Sequence, residues 1–142
     1  MKLALAALLP LSLLMAAAVA APGTKAKILS SETLSNGVVV QHTKIGSGPS
    51  PAATDTVQVH YRGTFEDGKE FDSSYQRGKP ATFPLNGVIP CWTEGVQKIK
   101  VGGAATLTCP SQTAYGPRGV PGTVPPNATL HFDVELLAIQ KK

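Results

Sequence analysis

The sequence predicts an antiparallel α+β domain, a sheet of several short strands with one short helix covering a face. Three observations lead there. Apolar and polar residues alternate at period two over residues 57–62 and again over 130–136. One stretch alone, carrying Trp92, Val96 and Ile99, repeats at the spacing of a helix face. Glycine (14) and proline (12) are spread along the chain, which favours many turns over long helices.

With 142 residues the chain has the size of one domain. Met1 and Lys2 open onto an apolar stretch, residues 3–19, that ends in Ala18-Val19-Ala20. A positive start, an apolar middle and a small-residue exit describe a secretory signal peptide over residues 1–20. A membrane anchor is the alternative, because the stretch is nearly long enough to cross a bilayer. Pro10, the alanine-rich second half and the lack of an aromatic or basic anchor directly behind it favour cleavage. Export to a periplasm is therefore expected, with secretion as the variant, and no stable membrane insertion afterwards. Residues 21–35 are small and polar and read as a flexible lead-in to a folded domain at 36–142.

Asn36-Gly37 marks a turn, after which Val38, Val39 and Val40 open the first strand. Residues 46–51 are a loop. The next strand sets Val57, Val59 and Tyr61 on one face and Gln58, His60 and Arg62 on the other. Asp67-Gly68 makes a tight hairpin turn. Phe83 and Leu85 suit a further strand, ended by Asn86-Gly87. The helix follows Pro90 and stops at Gly102-Gly103. Ala105, Leu107 and Cys109 alternate with Thr106 and Thr108 as a strand. Residues 112–127 are dense in proline and glycine and form a stiffened loop. The last strand turns Leu130, Phe132, Val134 and Leu136 inward, and His131, Asp133 and Glu135 outward.

Most reactive chemistries lack their residues. The net charge of +4 comes from scattered lysines and arginines, which gives no footprint for nucleic acid. His42, His60 and His131 are isolated, without a second ligand at metal spacing, so no metal is expected. No serine or cysteine stands in a nucleophile motif, and the glycines at 116–122 follow no phosphate-binding pattern. Asn127-Ala128-Thr129 has the form of a glycosylation acceptor and nothing more.

Cys91 begins the helix and Cys109 ends the strand expected beneath it. In an exported chain a structural bridge between them would stabilise the fold by about 3 kcal/mol through chain entropy. The alternative is two small buried hydrophobes that never pair. The aromatics (Trp 1, Tyr 3, Phe 4) are what a small β domain normally spends on its core, and pattern alone favours that reading without separating a pocket from a core.

The run beginning at Val57, VQVHYRGTFEDGKEFDSS, resembles the opening signature of FKBP-type prolyl isomerases. The resemblance continues through GVIPCWTEGV from Gly87, then Ala114-Tyr115-Gly116, and closes with VPPNATLHFDVEL from Val124. It spans about residues 33–140 and is similar to the exported bacterial branch that includes the macrophage infectivity potentiator proteins. It implies a twisted antiparallel sheet wrapped around one short helix, with a substrate pocket between them. It implies Trp92 as pocket floor, Tyr61, Phe71, Phe83 and Phe132 as walls, and Val88, Ile89 and Val124 as further apolar lining. Asp72 is then the one acidic group inside. Tyr115 is expected to donate its hydroxyl to a substrate carbonyl, and the Ile89 N–H to another. The implied activity is cis-trans isomerisation of X–Pro bonds in unfolded or partly folded polypeptides, with no cofactor and with the family's macrolide inhibitors as competitors. A non-catalytic module that holds proline-containing segments is the alternative, and an exported adhesin-like β domain a more distant one. Cys91 stands where many relatives have glycine. No inserted chaperone subdomain interrupts residues 115–125, and no helical dimerisation arm precedes Ser35, so a monomer is expected.

Overall fold

A computed structural model describes residues 27–140. The expected leader and residues 21–26 lie outside them. Seven strands form one antiparallel sheet: β1 (Ser30–Thr33), β2 (Val39–Lys44), β3 (Thr56–Thr64), β4 (Glu70–Ser73), β5 (Ala81–Pro84), β6 (Ala104–Cys109) and β7 (Leu130–Gln140). They lie in the order β1-β2-β6-β7-β3-β4, with β5 also pairing with β3. Helix α1 (Ser74–Arg77) follows β4, and α2 (Pro90–Val96) covers the apolar sheet face.

Period-two patterning turns directly into burial. Val57, Val59 and Tyr61 of β3 are buried, as are Ala105, Leu107 and Cys109 of β6 and Leu130, Phe132, Val134 and Leu136 of β7. Each buried side chain of Val, Leu or Phe size contributes roughly 1.5–3 kcal/mol when removed from water. The register stacks Val40 beside Leu107, Leu107 beside Phe132, and Phe132 beside Gly63, one apolar row across four strands. Register shifts within β3 and β2 add local twist to the sheet.

Helix α2 begins at Pro90, whose fixed φ and missing N–H suit a first helical position. Trp92, Val96 and Ile99 are buried against the sheet, as their spacing predicts. Gly95 lets the helix lie close: a Cβ there would meet the Leu107 methyls at 3.0 Å. Past Val96 the chain tightens, Lys98 and Ile99 donating to the carbonyls of Gly95 and Val96, which keeps Ile99 on the apolar side.

Three features differ from the sequence expectation. Strand β1 lies inside the stretch read as a flexible lead-in. Its four residues are all exposed, so backbone pairing to β2 holds it and no hydrophobic signal marks it. Leu85 is fully buried but starts a 3-10 turn (Leu85–Gly87) instead of extending β5. Helix α1 was not foreseen. The Ser73 hydroxyl caps it, accepting from the N–H groups of Tyr75 and Gln76, and Gly78 closes it at φ +74°.

Helix α1 interrupts the edge beside β3. Strand β4 pairs with residues 62–64 and β5 with residues 56–59, so Tyr61 has no strand partner on that side. The buried Ser74 hydroxyl fills the gap, accepting from the Tyr61 N–H at 2.7 Å and donating to the Tyr61 carbonyl at 3.3 Å. One side chain thus replaces a missing stretch of ladder at the residue that walls the site.

Candidate active site

Between α2 and the curled sheet lies a cavity of about 540 Å³. It is lined by Tyr61 of β3, Phe71 and Asp72 of β4, Phe83 of β5, Gly87, Val88, Ile89 and Trp92 at the entrance to α2, Ala114 and Tyr115 after β6, and Phe132 of β7. Five strands or strand ends and one helix therefore contribute to a single apolar bowl.

Trp92 is its floor and is 4% exposed. Three rings stand edge-on to it: Tyr61 at 5.3 Å and 87°, Phe83 at 5.4 Å and 83°, and Phe132 at 5.5 Å and 88°. Near-perpendicular rings bring positive edges onto negative faces, which fixes each orientation beyond simple packing. Phe71 stands edge-on to Phe132 at 5.7 Å and stacks on Phe65 at 4.7 Å. Gly63 makes room for this second tier, because a Cβ there would come within 2.7 Å of Phe71 and 2.9 Å of Phe132.

The single carboxylate of the cavity is fully engaged. Asp72 Oδ2 accepts from the Tyr61 hydroxyl at 2.5 Å, and Oδ1 accepts from Arg77 Nη1 at 2.8 Å and from the Ser73 N–H at 2.9 Å. Arg77 Nη2 also donates to the Tyr61 oxygen at 3.0 Å, with its guanidinium carbon 5.7 Å from the Tyr61 ring centre. Burial alone would push the Asp72 carboxyl up; hydrogen bonds from Tyr61 and Arg77 and the Arg77 charge outweigh it and hold the group below the usual carboxylate range. The Tyr61 hydroxyl is pushed up, first by burial and then by Asp72, against the pull of Arg77. At neutral pH the cavity therefore holds an ionised Asp72 and a protonated Tyr61.

Tyr115, 40% exposed, forms the lip of the cavity. Its hydroxyl meets no partner among the described residues, and neither does the Ile89 N–H. Both remain available to an incoming chain. The Ile89 carbonyl is occupied, accepting from the N–H groups of Trp92 and Thr93.

Of the residues expected to line the pocket, Val124 alone is elsewhere. It is buried in the core, and its backbone bridges to Val120 within the loop. Its apolar side chain beside two prolines carried no signal to distinguish core from cavity. Gly87 and Ala114 also line the cavity, and Arg77 and Ser74, outside the lining, support it through their bonds to Asp72 and Tyr61. The one readable trace of the supports is the largely polar run from Ser73 to Arg77 directly behind Phe71 and Asp72.

Cys91 and Cys109 are joined in a disulfide with Cα atoms 5.6 Å apart, both residues fully buried. The histidines are dispersed: His42 lies by Glu32, His131 by Glu66, and His60 against the Ser74 hydroxyl. Among the described residues no three His, Cys, Asp or Glu side chains are gathered to hold a metal ion.

Comparison with known proteins gives consistent matches. The sequence model of a family described as FKBP-type peptidyl-prolyl cis-trans isomerase matches residues 48–137. The chain is 55% identical over 109 residues to the FKBP-type peptidyl-prolyl cis-trans isomerase FkpA of Escherichia coli K12, covering 77% of this chain and 40% of that protein. The crystal structure of FkpA from Escherichia coli superposes with a TM-score of 0.76 at 53% identity, covering 81% of this chain and 54% of that one. FK506-binding protein 1 of Candida glabrata is 48% identical over 112 residues, covering 77% of this chain and 98% of that protein. The peptidyl-prolyl cis-trans isomerase Mip of Coxiella burnetii is 44% identical over 111 residues, covering 78% of this chain and 48% of that protein. The chain thus spans less than half the length of FkpA and Mip, and nearly all of the smaller FK506-binding protein.

Proposed function

The chain belongs to the FKBP-type peptidyl-prolyl cis-trans isomerase family, and on that premise we propose that its domain accelerates rotation about X–Pro bonds in unfolded or partly folded polypeptides. The observation that carries this reading is the Trp92 floor with Tyr61, Phe83 and Phe132 edge-on around it, an aromatic bowl on which a proline ring can rest. Rotation must cross about 18–20 kcal/mol because the planar amide is resonance-stabilised. No bond to be made or broken means no nucleophile or metal is needed. A planar amide is strongly dipolar and a twisted one less so, so an apolar enclosure favours the twisted form over the planar one. Tyr115 and the Ile89 N–H would hold the carbonyls on either side of the proline while the ring rests on Trp92. Lowering the barrier by about 5 kcal/mol would speed exchange by between three and four decades.

The leader at residues 1–20 and the Cys91–Cys109 bridge together support an exported protein, in the periplasm or beyond it, because disulfides persist in oxidising compartments. A macrolide of the kind named in FK506-binding protein 1 should compete for the same bowl. The test is a refolding assay limited by proline isomerisation, run with the purified exported protein. Acceleration of the slow phase, abolished by the macrolide, supports the isomerase. Macrolide binding with an unchanged slow phase would make the domain a holder of proline-containing segments instead.

A further inference from the structure

The disulfide joins the segment that supplies the pocket floor to the strand that leads to its lip. Cys91 directly precedes Trp92, and Ile89 lies two residues before it, so one half of the bridge is built into the segment that supplies the floor. Cys109 ends β6, and the chain beyond it reaches the lip at Tyr115 through a closely braced turn. Thr113 Oγ1 and the Thr113 N–H both donate to the Pro110 carbonyl, at 2.7 and 2.9 Å. The N–H groups of Ala114 and Gly116 both donate to the Ser111 carbonyl, at 2.9 and 2.8 Å. These bonds brace the turn that carries the chain from Cys109 to Tyr115.

Among the described residues no hydrogen bond or ion pair joins residues 88–92 to residues 109–116, so the S–S bond is the one directional tie between floor and lip. The rest of α2 is anchored independently. Thr93 Oγ1 donates to the Leu85 carbonyl at 2.6 Å, Gly95 lies on Leu107, and Val96 and Ile99 are buried. Those contacts hold the helix in the core whether or not the sulfurs are bonded.

The geometry points to a positioning role: the Cys91–Cys109 disulfide sets the spacing between the Ile89–Trp92 floor and the Tyr115 lip, so that the oxidised protein binds prolyl chains in a way the dithiol form does not. The inference rests on the isomerase reading only for its kinetic arm. Opening the bridge is a two-electron step. A dithiol such as dithiothreitol breaks the S–S bond, each protein sulfur takes one electron and one proton, and the reagent closes to its own cyclic disulfide. Both cysteines are fully buried, so the change follows local opening and small reductants.

Oxidised wild type, dithiothreitol-reduced wild type and the Cys91→Ala/Cys109→Ala double variant should be compared by circular dichroism and by turnover of an alanyl-prolyl tetrapeptide. The expected result is three folded proteins, with kcat/KM lowered about tenfold in the two without the bridge, chiefly through KM, because a small misplacement of binding groups is costly. Linkage supplies a second readout: if the bridge favours peptide binding, peptide must favour the bridge. The tetrapeptide at concentrations above its KM should shift the thiol–disulfide equilibrium toward the oxidised form. Folded reduced protein with unchanged kcat/KM and an equilibrium indifferent to peptide would overturn the role. So would global unfolding on reduction, since the bridge would then serve the whole fold. An oxidised wild type without turnover, but with the equilibrium still shifted by peptide, would remove the isomerase reading and leave the positioning role standing.

Discussion

The Tyr61 hydroxyl donates to Asp72 Oδ2 over 2.5 Å, so the only carboxylate in the pocket is occupied before any substrate arrives. Arg77 grips the other oxygen. A carboxylate held in this way is poorly placed to shuttle protons, and proton transfer is not part of a bond rotation. What it supplies is a fixed negative charge at the rim and a fixed orientation for the Tyr61 ring. Its pKa is depressed, so its contribution to stability is present above the ordinary carboxylate range and is lost as pH falls through the lower folded value. We expect kcat/KM to be flat through neutral pH and to decline only in acid. Asp72→Leu should lower both activity and melting temperature at neutral pH, because it removes that contribution and leaves the Tyr61 hydroxyl without its acceptor, although the Tyr61 oxygen still accepts from Arg77. A bell-shaped pH profile centred near neutrality would show that a proton is moved after all.

Ser74→Ala should harm both fold and pocket. The substitution leaves the Tyr61 N–H and carbonyl facing an apolar methyl where they now meet a hydroxyl. A buried backbone group left without a partner costs about 1–3 kcal/mol. Urea titration should show the midpoint falling without a change in slope. Because Tyr61 is also a wall of the cavity, kcat/KM should fall too, and an unmoved urea midpoint would show that water fills the gap.

How far the sequence reached depends on which force sets each feature. Where burial decides, as in β3, β7 and the Trp92, Val96, Ile99 face, period and spacing predict the element directly. The resemblance to a known family brought Tyr61, Phe71, Phe83, Trp92, Tyr115 and Phe132 to the cavity that now holds them. What stayed hidden is held by backbone or polar bonds. Strand β1 buries nothing, so no hydrophobic pattern announced it. Helix α1 is one turn long and depends on the Ser73 cap, and Arg77 acts through distance to a residue sixteen places earlier in the chain. Val124, buried and not among the lining residues, shows the opposite case, since a buried valine reads the same in a core as in a pocket wall.

The expected leader is testable without reference to the pocket. Ala18-Val19-Ala20 offers the small residues that precede a signal-peptidase cut. Protein recovered from the exported fraction should give an N-terminal sequence starting at Ala21 or close to it. Membrane-bound material that still begins with Met1 would make residues 3–19 an anchor.

Tyr115→Phe should be the mildest pocket variant. The ring is 40% exposed and stays in place, while one hydroxyl without a partner among the described residues is removed. A single hydrogen bond to a substrate carbonyl is worth roughly 0.5–1.5 kcal/mol, so kcat/KM should fall by about two- to tenfold. The melting temperature should not move. A loss of two decades or more would assign the hydroxyl a part in the twisted state itself.

Trp92→Ala should be the most damaging, and in two separable ways. Trp92 is 4% exposed and stands at the centre of three edge-on rings, so truncation leaves a void and removes those three perpendicular contacts at once. Large-to-small changes of this kind cost about 3–5 kcal/mol, because surrounding side chains collapse only in part. The loss should appear as a lower urea midpoint. Activity measured well below that midpoint, where the protein is still folded, isolates the second effect. There the proline ring has no surface to rest on, and kcat/KM should drop further than in any other single pocket variant. Trp92→Leu separates the two effects, since it refills part of the void with apolar volume but restores no ring face. It should recover stability more than activity. Equal recovery of both would mean that the floor matters only as volume, and that the aromatic face contributes nothing of its own to the rotation.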